Sequence, residues 1–185
     1  MILSLTTCVG CVPQWTSSST ADGTADLTTL GSMLATAEYR GGGFVQMDPK
    51  PYESTLTPGS FITMYVSNAA AASYATVTPE GTTGGDGFPL GGVVVREVSD
   101  AAGDVTQLTT IMKCKSGYNP VAGDFMFAVT DTNGQPVSDN GVSQWGPLEA
   151  CSTCHHGRAS SGYLFGVEES VRAALVAHTS AGVAQ

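Results

Sequence analysis

Positive charge is scarce in this chain. It carries 7 Lys and Arg against 16 Asp and Glu over 185 residues, a formal net charge of -9. A surface of that sign repels phosphate backbones and anionic bilayers. It argues against nucleic acid and acidic membrane surfaces as partners and makes a protein partner a basic one. Long apolar runs are missing too, since none approaches the roughly 20 residues that a spanning helix needs. There is no internal repeat. The apolar share, 42%, is ordinary for a globular chain and argues against disorder. The length suits one domain with a tail or leader and allows a real core. Low charge with many Gly and Thr suits a β-rich exported protein.

Cysteine is sparse and odd in number: Cys8, Cys11, Cys114, Cys151 and Cys154. Met1 to Leu5 is apolar, and Leu5-Thr6-Thr7-Cys8 resembles the end of a lipoprotein signal peptide. Val9-Gly10-Cys11 offers a second frame. The usual cationic start is absent, which would put it upstream of residue 1. Cys8 or Cys11 is thus a candidate point of lipid attachment; the plainer reading is a frayed terminus with two thiols or a disulfide between them. A zinc site at this pair lacks a second ligand pair nearby. Cys114 is left with three fates: free, paired with Cys11, or bridging a dimer.

Residues 12–25 are rich in Ser, Thr and Gly without periodicity and read as a flexible tether. Leu27, Leu30, Leu34 and Ala37 then recur at helical spacing, with Asp26 as a cap and Gly41-Gly42-Gly43 as the stop. Strands are predicted over 60–67, 91–98, 105–113 and 124–131, with a further one near 137–142. Asn68 is placed to cap a short helix through Ala69 to Tyr74. Asp100 to Gly103 reads as a turn, and Asn133-Gly134 as a hairpin. Toward the C-terminus, Val167, Val171, Ala174, Leu175 and His178 form one face of an amphipathic helix. The fold class is α+β: an antiparallel meander with flanking helices and a C-terminal helix. The divisions are residues 1–11 as leader, 12–43 as tether and short helix, and 44–185 as the main domain.

Cys151-Ser152-Thr153-Cys154-His155 has the pattern of a covalent c-type haem site. Two thiols three positions apart can add to the two vinyl groups on one edge of a porphyrin, and the next residue then puts an imidazole on the iron. A structural disulfide, a thioredoxin-like pair or half a metal site are the alternatives. A thioredoxin-like pair needs a strand before it and a helix after it, and this context reads as a loop. The haem reading implies one haem c, covalent through Cys151 and Cys154, with His155 on the metal. It also implies a location outside the cytoplasm, periplasmic or on the outer surface.

Iron has a second axial face. His156 follows His155 directly and cannot reach across the ring. His178 on the last helix reads as a packed or capping residue before a ligand. Met33, Met47, Met64, Met112 and Met126 are thioether candidates that read more simply as core. An open distal face would bind small molecules; a Met or His ligand would make an electron carrier.

Several segments in order resemble the cytochrome P-460 family, which includes the cytochromes c′-beta. They are Met64-Tyr65-Val66-Ser67-Asn68 with the Ala-rich helix to Tyr74, and Phe88-Pro89-Leu90-Gly91-Gly92-Val93-Val94-Val95-Arg96-Glu97. Lys115-Ser116-Gly117-Tyr118-Asn119-Pro120 follows, then Gly123-Asp124-Phe125-Met126-Phe127, and last Cys151 to His155 with Tyr163-Leu164-Phe165. The resemblance spans about residues 59–166. It implies a homodimeric, mostly β protein that binds nitric oxide or a related small nitrogen-oxide ligand opposite His155, or oxidises hydroxylamine. In the oxidising members a lysine cross-links the haem edge. The matching position here is Arg96, a poor nucleophile that stays protonated, so the cross-link is not expected. Their distal arginine and carboxylate fall near Ile62 and Thr109, which carry neither group. These departures favour ligand binding at five-coordinate iron over oxidation. The distal wall implied is Ile62, Arg96, Thr109, Ile111 and Phe125, where Arg96 would donate hydrogen bonds to a bound diatomic or a haem propionate. A six-coordinate electron-transfer cytochrome, and a binding or structural module without haem, are the other readings.

Overall fold

Runs of β-branched and aromatic residues broken by glycine turns build the centre of the protein. The computed structural model describes residues 8–9, 24–25, 27–48, 50–55, 57–81 and 87–182. In chain order the elements are β1 (Cys8–Val9), β2 (Thr24–Ala25), α1 (Leu27–Ala35), β3 (Phe44–Gln46), β4 (Tyr52–Glu53), β5 (Phe61–Ser67) and α2 (Asn68–Tyr74). They continue as β6 (Val93–Ser99), β7 (Val105–Lys113), β8 (Phe125–Thr130), β9 (Ser138–Asp139), β10 (Val142–Ser143), β11 (Trp145–Gly146), α3 (Glu149–His156) and α4 (Glu169–Gly182).

A 7-stranded sheet runs in the order β11-β8-β7-β6-β5-β3, and β4 also pairs with β5. Every pairing is antiparallel. β1 and β2 form a separate two-stranded ladder, as do β9 and β10. The class is therefore α+β, with an antiparallel sheet and four α-helices.

The sheet is covered on both faces. Side chains alternate along a strand, so neighbouring residues serve different cores. On one face Val93, Val95, Leu108, Met112 and Met126 pack with Leu30, Met33 and Leu34 of α1. On the other, Val66, Val94, Phe125 and Phe127 pack with Ala70, Ala71 and Tyr74 of α2 and with Val171 and Leu175 of α4. This resolves why the run Val93-Val94-Val95 is apolar on both sides: each side has a core.

Several local expectations shift. α1 stops at Ala35, short of Ala37, which takes a left-handed backbone (φ 54) and opens a 3-10 turn over Glu38–Arg40. Asn68 is the first residue of α2 and not its cap; its amide donates to the Gly42 carbonyl at 2.8 Å, tying α2 to the loop before β3. β6 begins at Val93, because Gly91 has φ 74 and Gly92 closes a turn onto the Pro89 carbonyl at 2.9 Å. The strand expected near 137–142 is a two-residue hairpin, β9 with β10. β11, unread in the sequence, completes the sheet edge beside β8. Asp26, Cys11 and residues 12–23 lie outside the described residues, as does the side chain of His178 within α4.

Candidate functional site

The segment read as a loop around Cys151 is helical. After Pro147, Leu148 is extended (ψ 124) and its carbonyl accepts the Ser152 amide at 2.8 Å, which starts α3. Glu149 in the first turn suits the positive end of the helix dipole. Glu149 to His156 carries no apolar period, so the sequence shows no helix there.

The helix has a direct consequence. Cys151, Cys154 and His155 stand at i, i+3 and i+4, which puts all three on one face. Ser152 is buried on another side. Its Oγ accepts from the Asn119 amide at 3.0 Å, and the same amide donates to the Phe125 carbonyl at 2.8 Å. Asn119 therefore docks α3 onto β8. His156 is exposed, with Nδ1 2.9 Å from the Val121 carbonyl.

Cys151, Cys154 and His155 line a cavity of about 500 Å³ between α3 and the sheet. Its opposite wall is the sheet face that includes Val94 and Phe127. The register groups the wall residues into rows. Met64 lies across from Arg96, Arg96 from Thr109, and Thr109 from Val129; Val94 lies across from Ile111 and Ile111 from Phe127. Ile62, Arg96, Thr109 and Ile111 thus join Cys151, Cys154 and His155 around one space. Phe125 is not among the lining residues. It lies on the same sheet face but is fully buried in the α2-side core, edge-on to Phe88 at 5.4 Å and under the Lys113 ammonium at 5.0 Å.

Phe127, two residues on, takes the place expected for Phe125. Its ring centroid is 4.8 Å from that of His155. Phe165 lies edge-on to His155 at 4.9 Å. The Tyr74 hydroxyl donates to the Phe165 carbonyl at 2.7 Å, and Gly166 fits where a Cβ would strike the Thr78 carbonyl. Both contacts fix the 165–167 segment against the cavity. Met64, Tyr52 and Ser54 also line it. Met64 is the one thioether candidate that does so; Met33, Met47, Met112 and Met126 are buried elsewhere.

The state of His155 follows from its partners. Nδ1 lies 2.6 Å from the Tyr163 carbonyl. A carbonyl only accepts, so Nδ1 carries the proton and Nε2 keeps a lone pair. Burial lowers the His155 pKa, opposed in part by that carbonyl, which favours a neutral imidazole. Tyr163 holds its carbonyl there with a left-handed backbone (φ 65), and its ring packs on Gly123, where a Cβ would collide with it. Cys151 and Cys154 are both free thiols. Burial, then the neighbouring Cys154, pushes the Cys151 thiol up. Cys114 is disulfide-bonded.

These groups can hold a flat apolar cofactor by two thioethers and one imidazole nitrogen. Comparison with known families, characterised proteins and solved structures finds no match.

Proposed function

We propose that the protein is an exported monohaem c-type cytochrome, with the haem in the cavity between α3 and the sheet and a small nitrogen-oxide ligand such as nitric oxide bound opposite His155. The observation that carries this reading is the joint placement of Cys151, Cys154 and His155 on one helix face at a 500 Å³ cavity.

The residues fit the group. The volume lies within the ~300–1,000 Å³ of cofactor sites, and the walls are mostly apolar. Both thiols are free. His155 has its outer nitrogen on a backbone carbonyl, the arrangement that orients and strengthens metal-binding imidazoles, and Nε2 has no partner among the described residues. When bound, haem would supply a binding site for a diatomic ligand and one-electron chemistry. The protein's own part is distinct. His155 offers Nε2, the Tyr163 carbonyl keeps the proton on Nδ1, and Phe127, Ile111 and Val94 exclude water from the sheet side.

A disulfide at Cys114 supports export, since such bonds persist in oxidising compartments. Periplasmic or outer-surface location, lipid attachment at Cys8 or Cys11, a basic redox partner and the P-460-like homodimer belong to the same proposal. Arg96 lines the cavity where the oxidising relatives carry an amine, so the ligand-binding reading is preferred to hydroxylamine oxidation. One observation favours a second reading, a six-coordinate electron carrier: the Met64 sulfur lies at the cavity and accepts from the Tyr52 hydroxyl at 3.3 Å.

Carbon monoxide added to the reduced protein tests the choice. A shifted absorption spectrum is expected. A low-spin spectrum indifferent to carbon monoxide would overturn five-coordination, and a gain of binding in Met64→Ala would then identify the sixth ligand.

A further inference from the structure

The sheet side of the cavity has an electrostatic peculiarity that haem attachment alone does not explain. The chain is strongly acidic, yet among the described residues no Asp or Glu lines the cavity and Arg96 does. Arg96 is only partly exposed. Among the described residues its one hydrogen-bond contact is Nη2 to the Ser54 Oγ at 3.5 Å, at the long limit for a hydrogen bond. Asp48, on the loop before β4, makes no ion pair with it. A partly buried guanidinium with no ion pair among the described residues is placed to take up an anion.

The surroundings complete a recognition site. Thr109 is the cross-strand partner of Arg96 on the same face. Tyr52 and Ser54, on and beside the edge strand β4, reach the same space. Guanidinium donors form a planar fork that matches two oxygens of one trigonal centre, and hydroxyls can serve a third lone pair.

We infer that the sheet-side floor of the cavity is a subsite for a small planar oxyanion, with Arg96 as its cation and Ser54 and Thr109 as neutral partners. Two sources share that chemistry: a free ligand such as nitrite, or a carboxylate carried by the cavity's own cofactor. The free-ligand source does not depend on haem attachment, whereas the cofactor source rests on the proposed function; the guanidinium has no ion pair among the described residues in either case.

The test uses the full-length protein as isolated, with its haem content read separately from absorption. Nitrite and formate are titrated by calorimetry into wild type, Arg96→Gln and Arg96→Lys. If the source is free, both probes bind wild type, Arg96→Gln weakens them at least tenfold, and Arg96→Lys is intermediate because an ammonium lacks the fork. If the source is the cofactor, added probes do not bind through Arg96, and Arg96→Gln instead shifts the reduction potential. A measurement on wild type needs no variant to fold: phenylglyoxal labelling of Arg96, mapped by peptide mass, should be slowed by the probes or already slow in haem-loaded protein. Probe binding and potential both unchanged in folded Arg96→Gln, or fast labelling unaffected by probes and by haem, would overturn the subsite.

Discussion

Arg96 and Glu97 are consecutive, and the two-residue period of β6 sends them to opposite faces. Glu97 is buried on the α1 side, where it accepts from the Tyr39 hydroxyl at 2.7 Å and from Arg40 at 2.6 Å. Arg96 faces the cavity, where no carboxylate lies among the described lining residues. Among the described residues one charge has an ion pair and the other has none. Replacing Glu97 with Ala should strand a buried tyrosine hydroxyl, at a cost of about 1–3 kcal/mol in urea unfolding. Oxyanion binding at Arg96 should be unchanged in that variant. An unaltered midpoint would mean that water replaces the carboxylate. His155 is also decided at this scale, because one backbone carbonyl fixes which of its nitrogens is free.

Among the elements, those with strong local patterns were legible in the sequence. β5 and β7 are long runs of β-branched and aromatic residues, and both lie within a residue of the expected limits. β3, β4 and β11 span two or three residues and carry no period, so their pairing depends on partners distant in sequence. α3 is not legible in the sequence because its face is set by cysteine and histidine, not by apolar spacing. The cavity wall was legible only in part: Ile62, Arg96, Thr109 and Ile111 line it, but the choice of Phe127 over Phe125 depends on how β8 seats against the helices. The turn after β8 makes a prediction of its own. The Asp131 carboxylate accepts from the Asn133 amide at 2.8 Å and the Gln135 amide at 2.9 Å, and these bonds, the latter first, hold its pKa below the usual 3.8. A carboxyl lowered by folding stabilises above its unfolded pKa and loses that contribution as pH falls through the folded value. Asp131→Ala should therefore lower Tm at neutral pH, and the gap from wild type should close as pH drops below about 3.8. A gap constant with pH would refute the capping role.

In the whole molecule, two cores on one sheet divide the labour. The α1 face is a closed apolar core, whereas the opposite face is packed by α2 and α4 on one part and left open as the cavity on another. A sheet packed on both sides makes a rigid floor for the cavity, which suits the proposed placement of a cofactor beside α3. Cys114, directly after β7, adds a covalent tie. Its replacement by Ser should lower stability by roughly 2–4 kcal/mol, and a reducing agent should do the same to the wild type. No loss in either case would mean that the bond constrains little of the unfolded chain. The central claim is that Cys151, Cys154 and His155 hold haem. It is tested most directly by the absorption spectrum and denatured mass of full-length protein expressed with a haem-maturation system. The expected result is a c-type spectrum with one haem retained covalently per chain, lost when Cys151 and Cys154 are both changed to Ala. Folded protein that emerges from that system colourless, with the mass of the bare chain, would contradict it.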